Sequence, residues 1–213
     1  PSSCYLDILA AIPSNRLTWM NLGLLDEDAP PHAEASGLGP WQRCLNLARR
    51  VLSGIDLPGS SLLDVGCGRG GLCRYGADQG ARRVVGLDII PEQVRWCRRM
   101  HSGVQFVQGD ACVLPFGGGV FDAVTSIESA AHYDDEDQFF RSAFRCLKRG
   151  GVFAVANIER DTIPDVTTRL GLAGFRVRRC EDLTQAVLRS IDAWGDVGED
   201  HLRLGCDAEL AAR

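Results

Sequence analysis

The chain has 213 residues, of which 45% are hydrophobic and 24% charged, the proportions of an ordinary folded protein. At about 150 residues per domain this length favours one domain over two, and it can bury a core without a disulfide or metal staple. The 23 basic and 28 acidic side chains leave a net charge of −5. That argues against nucleic acid as the main partner, because phosphate binding shows as a basic face.

No apolar run reaches the roughly 20 residues that a membrane-spanning helix needs, so no membrane partner is expected. The opening stretch has no basic residues before its apolar ones and does not read as a signal peptide; it starts with Pro1 rather than Met, so some preceding residues are expected to have been removed. The nine cysteines are odd in number and none forms a Cys-x-x-Cys pair. A cytoplasmic location is therefore expected, rather than a disulfide framework or structural zinc. Lys148 is the only lysine, a bias that speaks of genome composition rather than chemistry.

Residues 1–40 read as an N-terminal helical and loop cap, with a helix near Tyr5–Ile12 and a loop rich in Pro, Gly and acids from Asp26 to Pro40. Residues 41–213 read as one α/β domain. Trp41, Leu45, Ala48 and Leu52 recur at helical spacing. From Ser61 the pattern alternates. Strands are expected at Ser61–Val65, Arg83–Leu87, Val104–Val107, Val120–Ser126, Gly151–Ala156 and Phe175–Arg179. Helices are expected at Gly70–Asp78, Pro91–Met100, Asp135–Leu147, Asp161–Leu172 and Thr184–Ala193. Pro91 suits a first helical turn, where its missing N–H costs nothing. Strands alternating with helices predict a doubly wound, mostly parallel sheet covered on both faces. Right-handed crossovers put every strand's carboxyl end on one edge, where ligands bind.

Five features stand out, four of them running to strand carboxyl ends and the last leading into the fifth expected strand. The first strand ends in Leu62-Leu63-Asp64-Val65-Gly66-Cys67-Gly68-Arg69-Gly70-Gly71, a tight turn whose glycines let the backbone approach a ligand. It could equally be a turn with no ligand, or hold an anion at a helix N-terminus. A phosphate loop of the Gly-x-x-x-x-Gly-Lys-Ser/Thr type is absent. Asp88, closing Val85-Gly86-Leu87-Asp88, suits ribose hydroxyls of NAD or another nucleoside cofactor, or the capping of the helix opened by Pro91. Asp110, in Gln108-Gly109-Asp110-Ala111, could accept from an adenine amino group. The others are Phe121-Asp122-Ala123-Val124-Thr125-Ser126-Ile127-Glu128 and Leu147-Lys148-Arg149-Gly150-Gly151.

In this order and spacing, LDVGCGRG, VVGLD, QGDA, FDAVTSIES and LKRGG resemble the class I S-adenosylmethionine-dependent methyltransferases, over about residues 40–180. The resemblance implies a seven-stranded Rossmann-like sheet with S-adenosylmethionine across the carboxyl ends of strands one to four. It implies that Asp64, Gly66, Cys67, Gly68 and Gly70 hold the methionine part. Asp88, with Ile89 beside it, would take the ribose, and Asp110 and Ala111 the adenine. Backbone at Ser126 and Ile127 would meet the amino group. A further likeness of Glu128-Ser-Ala-Ala-His132, and of Met20-Asn21-Leu22-Gly23, is to the branch that methylates sugars, polyketides, terpenoids and related small molecules.

His132 is the expected catalytic residue. An alcohol nucleophile must lose its proton, and imidazole is suited to take it; His132 could instead cap or pack at the next helix. Glu159 could orient His132 or bind the acceptor, or be a solvated loop carboxylate. Glu128 could serve the site or accept backbone N–H groups. Cys67 fits the turn by its size. His32, His101 and His201 are expected on the surface or on helices, and the paired arginines on solvated faces. The acidic run Asp134–Asp137 reads as a helix N-terminus, with a magnesium site as the alternative. The resemblance expects a seventh, antiparallel strand, but Asp196–Arg213 has no strand-like run, so a truncated or rearranged C-terminus is expected. NAD is disfavoured by the lack of Gly-x-Gly-x-x-Gly spacing.

Overall fold

The structure is a computed structural model that describes residues 20–25, 40–157 and 163–192. The chain divides into two compact units, Ala48–Glu181 on one hand and Pro1–Leu47 with Asp182–Arg213 on the other. Helix α1 (Pro40–Leu52) precedes an alternation of β1 (Ser61–Val65), α2 (Gly71–Asp78), β2 (Arg83–Asp88), α3 (Pro91–Met100) and β3 (Gln105–Gln108). Then come β4 (Phe121–Ile127), a one-turn 3₁₀ helix (Ala130–His132), α4 (Glu136–Cys146), β5 (Leu147–Ala156), α5 (Ile163–Leu172) and α6 (Thr184–Asp192). Among the described residues no helix is long and apolar enough to cross a membrane.

The five strands form one parallel sheet in the order β3-β2-β1-β4-β5. Every residue of β1, Ser-Leu-Leu-Asp-Val, is buried, as an apolar run covered on both faces requires. Strand order reverses between β1 and β4, so the crevice for a ligand opens at their carboxyl ends. Beneath it lies a core of Leu63, Val85, Val124, Phe139 and Phe140, with Phe153 of β5 packed against it.

Two strand expectations are corrected. The segment 175–179 pairs with no strand, so five strands, not the seven of the resemblance, are found among the described residues. Its alternation lacks a cover: Phe175 stacks on Phe153 at 5.0 Å, but Val177 stays 37% exposed and Arg179 donates to Ser53 Oγ and to the Arg50 carbonyl. Strand β5 starts at Leu147, not Gly151, because its register against β4 jumps: Phe121 pairs with Leu147 but Ala123 with Val152. The bulged Lys148 reaches Asp122, 2.8 and 2.9 Å from its two carboxylate oxygens, and Asp122 also accepts from the Ser61 backbone N–H and hydroxyl.

In the smaller unit the described residues are held by local bonds. Asn21 Oδ1 accepts from the Gly23 N–H at 3.0 Å, Cys44 Sγ donates to the Asn21 carbonyl at 3.0 Å, and Ser190 Oγ donates to the Leu22 carbonyl at 2.7 Å. The Asn21-Leu22-Gly23 sequence therefore acts here as a structural joint. The expected helix near Tyr5–Ile12, His32, His201 and the stretch 196–213 lie outside the described residues.

Candidate active site

The turn after β1 carries Gly66, Gly68 and Gly70, all at positive φ (71, 52 and 73°), which a branched residue adopts only under strain. Gly66 and Cys67 donate their N–H groups to the Leu87 carbonyl, Gly68 donates to Asp88 Oδ2 at 2.8 Å, and Gly70 donates to the Cys67 carbonyl. Four of the turn's N–H groups are thus spent within the protein. A phosphate-cradling loop would aim them at its ligand instead, so the geometry disfavours a pyrophosphate cofactor here.

The turn's carbonyls are held from behind. Cys97 Sγ donates to Gly68 O at 3.2 Å, and His101 Nε2 donates to Arg69 O at 2.7 Å. His101 caps the end of α3, the helix alternative of its expected place, but is only 7% exposed and packed between Trp96 and Phe106 rather than on the surface. Its partner lies 32 positions away, so nothing in the local sequence announced its burial.

Asp88 ends β2 and supports both neighbouring turns: Oδ2 takes the Gly68 N–H and Oδ1 takes the Ile90 N–H at 2.9 Å. It is 7% exposed, and burial raises its pKa above the ordinary value despite these bonds. The Ile89 N–H also bonds to this carboxylate, and a lone pair that remains can accept from a ribose hydroxyl. Ile89 beside it is 58% exposed, an apolar surface suited to a flat base. At the end of β3, the Gly109 N–H donates to the Asp88 carbonyl, Asp110 Oδ1 accepts from the Cys112 N–H at 2.8 Å, and Ala111 is buried.

Asp64 is 4% exposed and sits beneath the turn. Its oxygens accept from Thr125 Oγ1 (3.0 Å) and Cys73 Sγ (3.5 Å), tying β1 to β4 and α2. Burial pushes its pKa to about 7. Cys67 is a neutral thiol, held well above its usual range by hydrogen bonding with Cys73 and by burial, so it is no nucleophile at this turn.

At the end of β4, Ser126 is fully buried and Ile127 half-buried. Glu128 has φ 49°, an unusual conformation for a residue with a long side chain, and its N–H donates to the Ala156 carbonyl at 2.7 Å. That turn throws Ser129 and Tyr133 onto Gly66. A β-carbon on Gly66 would lie 1.8 Å from Ser129 Oγ and 2.8 Å from the Tyr133 hydroxyl, so Gly66 admits the β4 loop itself rather than leaving open space. His132 closes the 3₁₀ turn with its side chain exposed, beside Tyr133. Glu159 lies outside the described residues. The acidic run is engaged in structure: Asp135 caps α4 through the Gln138 N–H, while Glu136 and Asp137 pair with Arg169 of α5 at 2.6 and 2.7 Å.

The structure therefore joins Gly109, Asp88, Gly68 and Gly66 with Ser129 and Tyr133 in one continuous edge from β3 to β4. Thr125, Ser129, Tyr133 and His101 were not singled out from sequence. Tyr133 had a signal, since it follows His132 in a loop expected at the ligand edge.

A family model described as a methyltransferase domain matches residues 63–155, the span that holds this edge. The chain is 34% identical over 172 residues to a probable phthiotriol/phenolphthiotriol dimycocerosates methyltransferase 2 of Mycobacterium ulcerans, covering 78% of this chain and 67% of that one. It is 40% identical over 107 residues to the erythromycin 3''-O-methyltransferase of Saccharopolyspora erythraea, covering 47% of this chain and 35% of that one. The chain thus spans about two thirds of the first relative's length and about one third of the second's. Among solved structures it superposes on the [4+2]-cyclase SpnF with a TM-score of 0.72 at 22% identity, over all of this chain and 93% of that one, a likeness of fold. With no phosphate cradle at the glycine turn, the edge suits S-adenosylmethionine, and the chain belongs to the S-adenosylmethionine-dependent methyltransferases.

Proposed function

We propose that this protein moves the methyl group of S-adenosylmethionine to an oxygen of a small natural-product acceptor, a sugar, polyketide or terpenoid. The observation that carries the reading is the continuous hydrogen-bonded edge from Gly109 through Asp88 and Gly68 to Gly66, at the carboxyl ends of β3, β2 and β1. The choice of oxygen and of acceptor class is supported by the likeness to the erythromycin 3''-O-methyltransferase.

When bound, S-adenosylmethionine supplies a methyl group activated by a positive sulfur. The chain's residues do the rest. Asp88 accepts the ribose hydroxyls through the lone pairs its backbone bonds leave, and Ile89 covers the adenine, which Asp110 and the Ala111 N–H read. Asp64 and Thr125 hold the turn's floor in place, so that no reorganisation is needed on binding. His132, exposed on the loop after β4, takes the acceptor's proton as general base, with Glu159 orienting it or the acceptor.

The test is incubation with deuteromethyl-labelled cofactor and a panel of hydroxylated macrolides, glycosides and terpenoids, read by mass spectrometry. Label on an oxygen of one class supports the reading. Label on carbon or nitrogen, or an acceptor rearranged with no label gained, overturns it in favour of a C- or N-methyltransferase or a pericyclic catalyst on the same fold.

A further inference from the structure

Tyr133 is not used by the mechanism above, yet it is placed with care. Its ring meets Phe139 edge-on at 4.9 Å, at the rim of the core. Its hydroxyl turns back toward the glycine turn, 2.9 Å from Ser129 Oγ and 3.4 Å from Ser126 Oγ. The same hydroxyl comes within 2.8 Å of where a side chain on Gly66 would begin. Three hydroxyls carry three hydrogens, and the two bonds among them use two. One hydroxyl hydrogen, together with several lone pairs, therefore remains to be offered outside the cluster. Burial keeps the phenol neutral by raising its pKa, so it acts as a hydrogen-bond donor and acceptor and not as a base.

The sheet order shows what this cluster faces. Asp110 lies at the end of β3, Asp88 at the end of β2, Gly66 after β1 and the cluster after β4, and the strands lie side by side in the order β3-β2-β1-β4. The cofactor's covalent order is adenine, ribose, sulfonium, amino acid. With the adenine at β3 and the ribose at β2, the amino-acid end falls at β1 and β4. We propose that the Tyr133 hydroxyl, supported by Ser129 and Ser126, is a binding residue for the charged amino-acid end of S-adenosylmethionine. The assignment rests on the placement of the ribose at Asp88.

The experiment is calorimetric titration of Tyr133→Phe with two ligands: S-adenosylhomocysteine, which has the amino-acid end, and 5′-methylthioadenosine, which lacks it. A hydrogen bond to a charged group is lost only for the first. Its affinity is expected to fall about 10-fold while that of the second stays within about two-fold. Phenylalanine keeps the ring on Phe139, so the thermal midpoint should not move. Ser129→Ala should show the same selective pattern with a smaller loss. Equal losses for both ligands, or no loss for S-adenosylhomocysteine, would overturn the assignment. Asp88→Ala separates the two readings, since it should weaken both ligands. If it weakens both while Tyr133→Phe is not selective, the amino-acid assignment alone falls. If it weakens neither, the strand-end site falls and takes the assignment with it.

Discussion

The two edges of the sheet treat their carboxylates in opposite ways. At the amino edge, Asp122 is partly exposed and paired with Lys148, and bonds to Lys148 and Ser61 hold its pKa down at about 2. At the carboxyl edge, Asp64 and Asp88 are buried with neutral partners only: a threonine hydroxyl, a thiol and backbone N–H groups. Burial raises the pKa of both. A carboxylate at the amino edge is there to hold strands together. Those at the carboxyl edge are kept at a cost to stability, the pattern of a site prepared for a ligand. The substitutions below should separate the edges: those at the carboxyl edge change turnover, affinity or the pH dependence of stability, and the one at the amino edge changes stability alone.

The largest effect is expected at His132. His132→Ala should lower turnover by about 10²–10⁴, the usual contribution of a positioned base, with cofactor affinity unchanged in a binding titration. The side chain is exposed, so the fold should not suffer. Wild-type turnover on the true acceptor would leave the carboxyl edge with binding groups but no base.

Asp88→Ala comes next. It removes the proposed acceptor of the ribose hydroxyls and also frees the Gly68 and Ile90 N–H groups. A loss of about 2–3 kcal/mol in cofactor binding is expected, from charge-assisted bonds of about 1.5–3 kcal/mol each with partial replacement by water. Unchanged affinity in a folded variant would break the contrast between the edges, because Asp88 would then be a turn support only.

Asp64→Asn should run the other way, weakening function while strengthening the fold. The folded pKa of about 7 lies above the ordinary value of 3.8. The native state therefore holds a proton that the unfolded chain has already released. The stability this represents is present below about pH 4 and is lost as pH rises toward 7. A neutral amide escapes that loss. The variant should be more stable than the parent by about 1–3 kcal/mol at pH 8, with the difference gone near pH 4, in denaturant titrations at both values. A variant less stable at pH 8 would mean that the carboxylate is not strained.

Much of this contrast was legible in the sequence, because strand-to-turn junctions carry local signals. The Gly66–Gly70 turn, Asp88 after its apolar run and Pro91 opening α3 each announce themselves within a few residues, and the order of elements predicts the parallel sheet. What was not legible depends on partners far along the chain. His101 is buried with its Nε2–H donated to Arg69 O, and the bulged start of β5 carries Lys148 onto Asp122. The pattern at 175–179 has the alternation of a strand, but whether a strand forms depends on a neighbour that only the fold supplies. The sequence marks Gly66 as a place for a ligand to approach; that it first admits Ser129 and Tyr133 shows only with the β4 loop in place.

The smallest effect belongs to the amino edge. Lys148→Met removes the cation beside Asp122 and leaves its bonds to Ser61 intact. Both side chains are 39% exposed, so water screens the pair and the loss should be about 1 kcal/mol rather than the full value that the shifted pKa suggests. The sign follows from the direction of that shift. The folded pKa of about 2 lies below the ordinary 3.8, so the pair's stabilisation is present above about pH 4 and is lost as pH falls toward 2. Denaturant titrations should therefore show parent and variant differing by a constant amount from about pH 5 to 8, and converging below about pH 4. Cofactor affinity should be the same in both, because the pair lies at the opposite ends of the strands from Asp88 and Gly66. A difference that persists unchanged into acid would mean that Lys148 acts through its packed stem at the bulge rather than through its charge. A change in cofactor affinity would mean that the bulge in β5 is felt across the sheet, and the two edges would then no longer be independent.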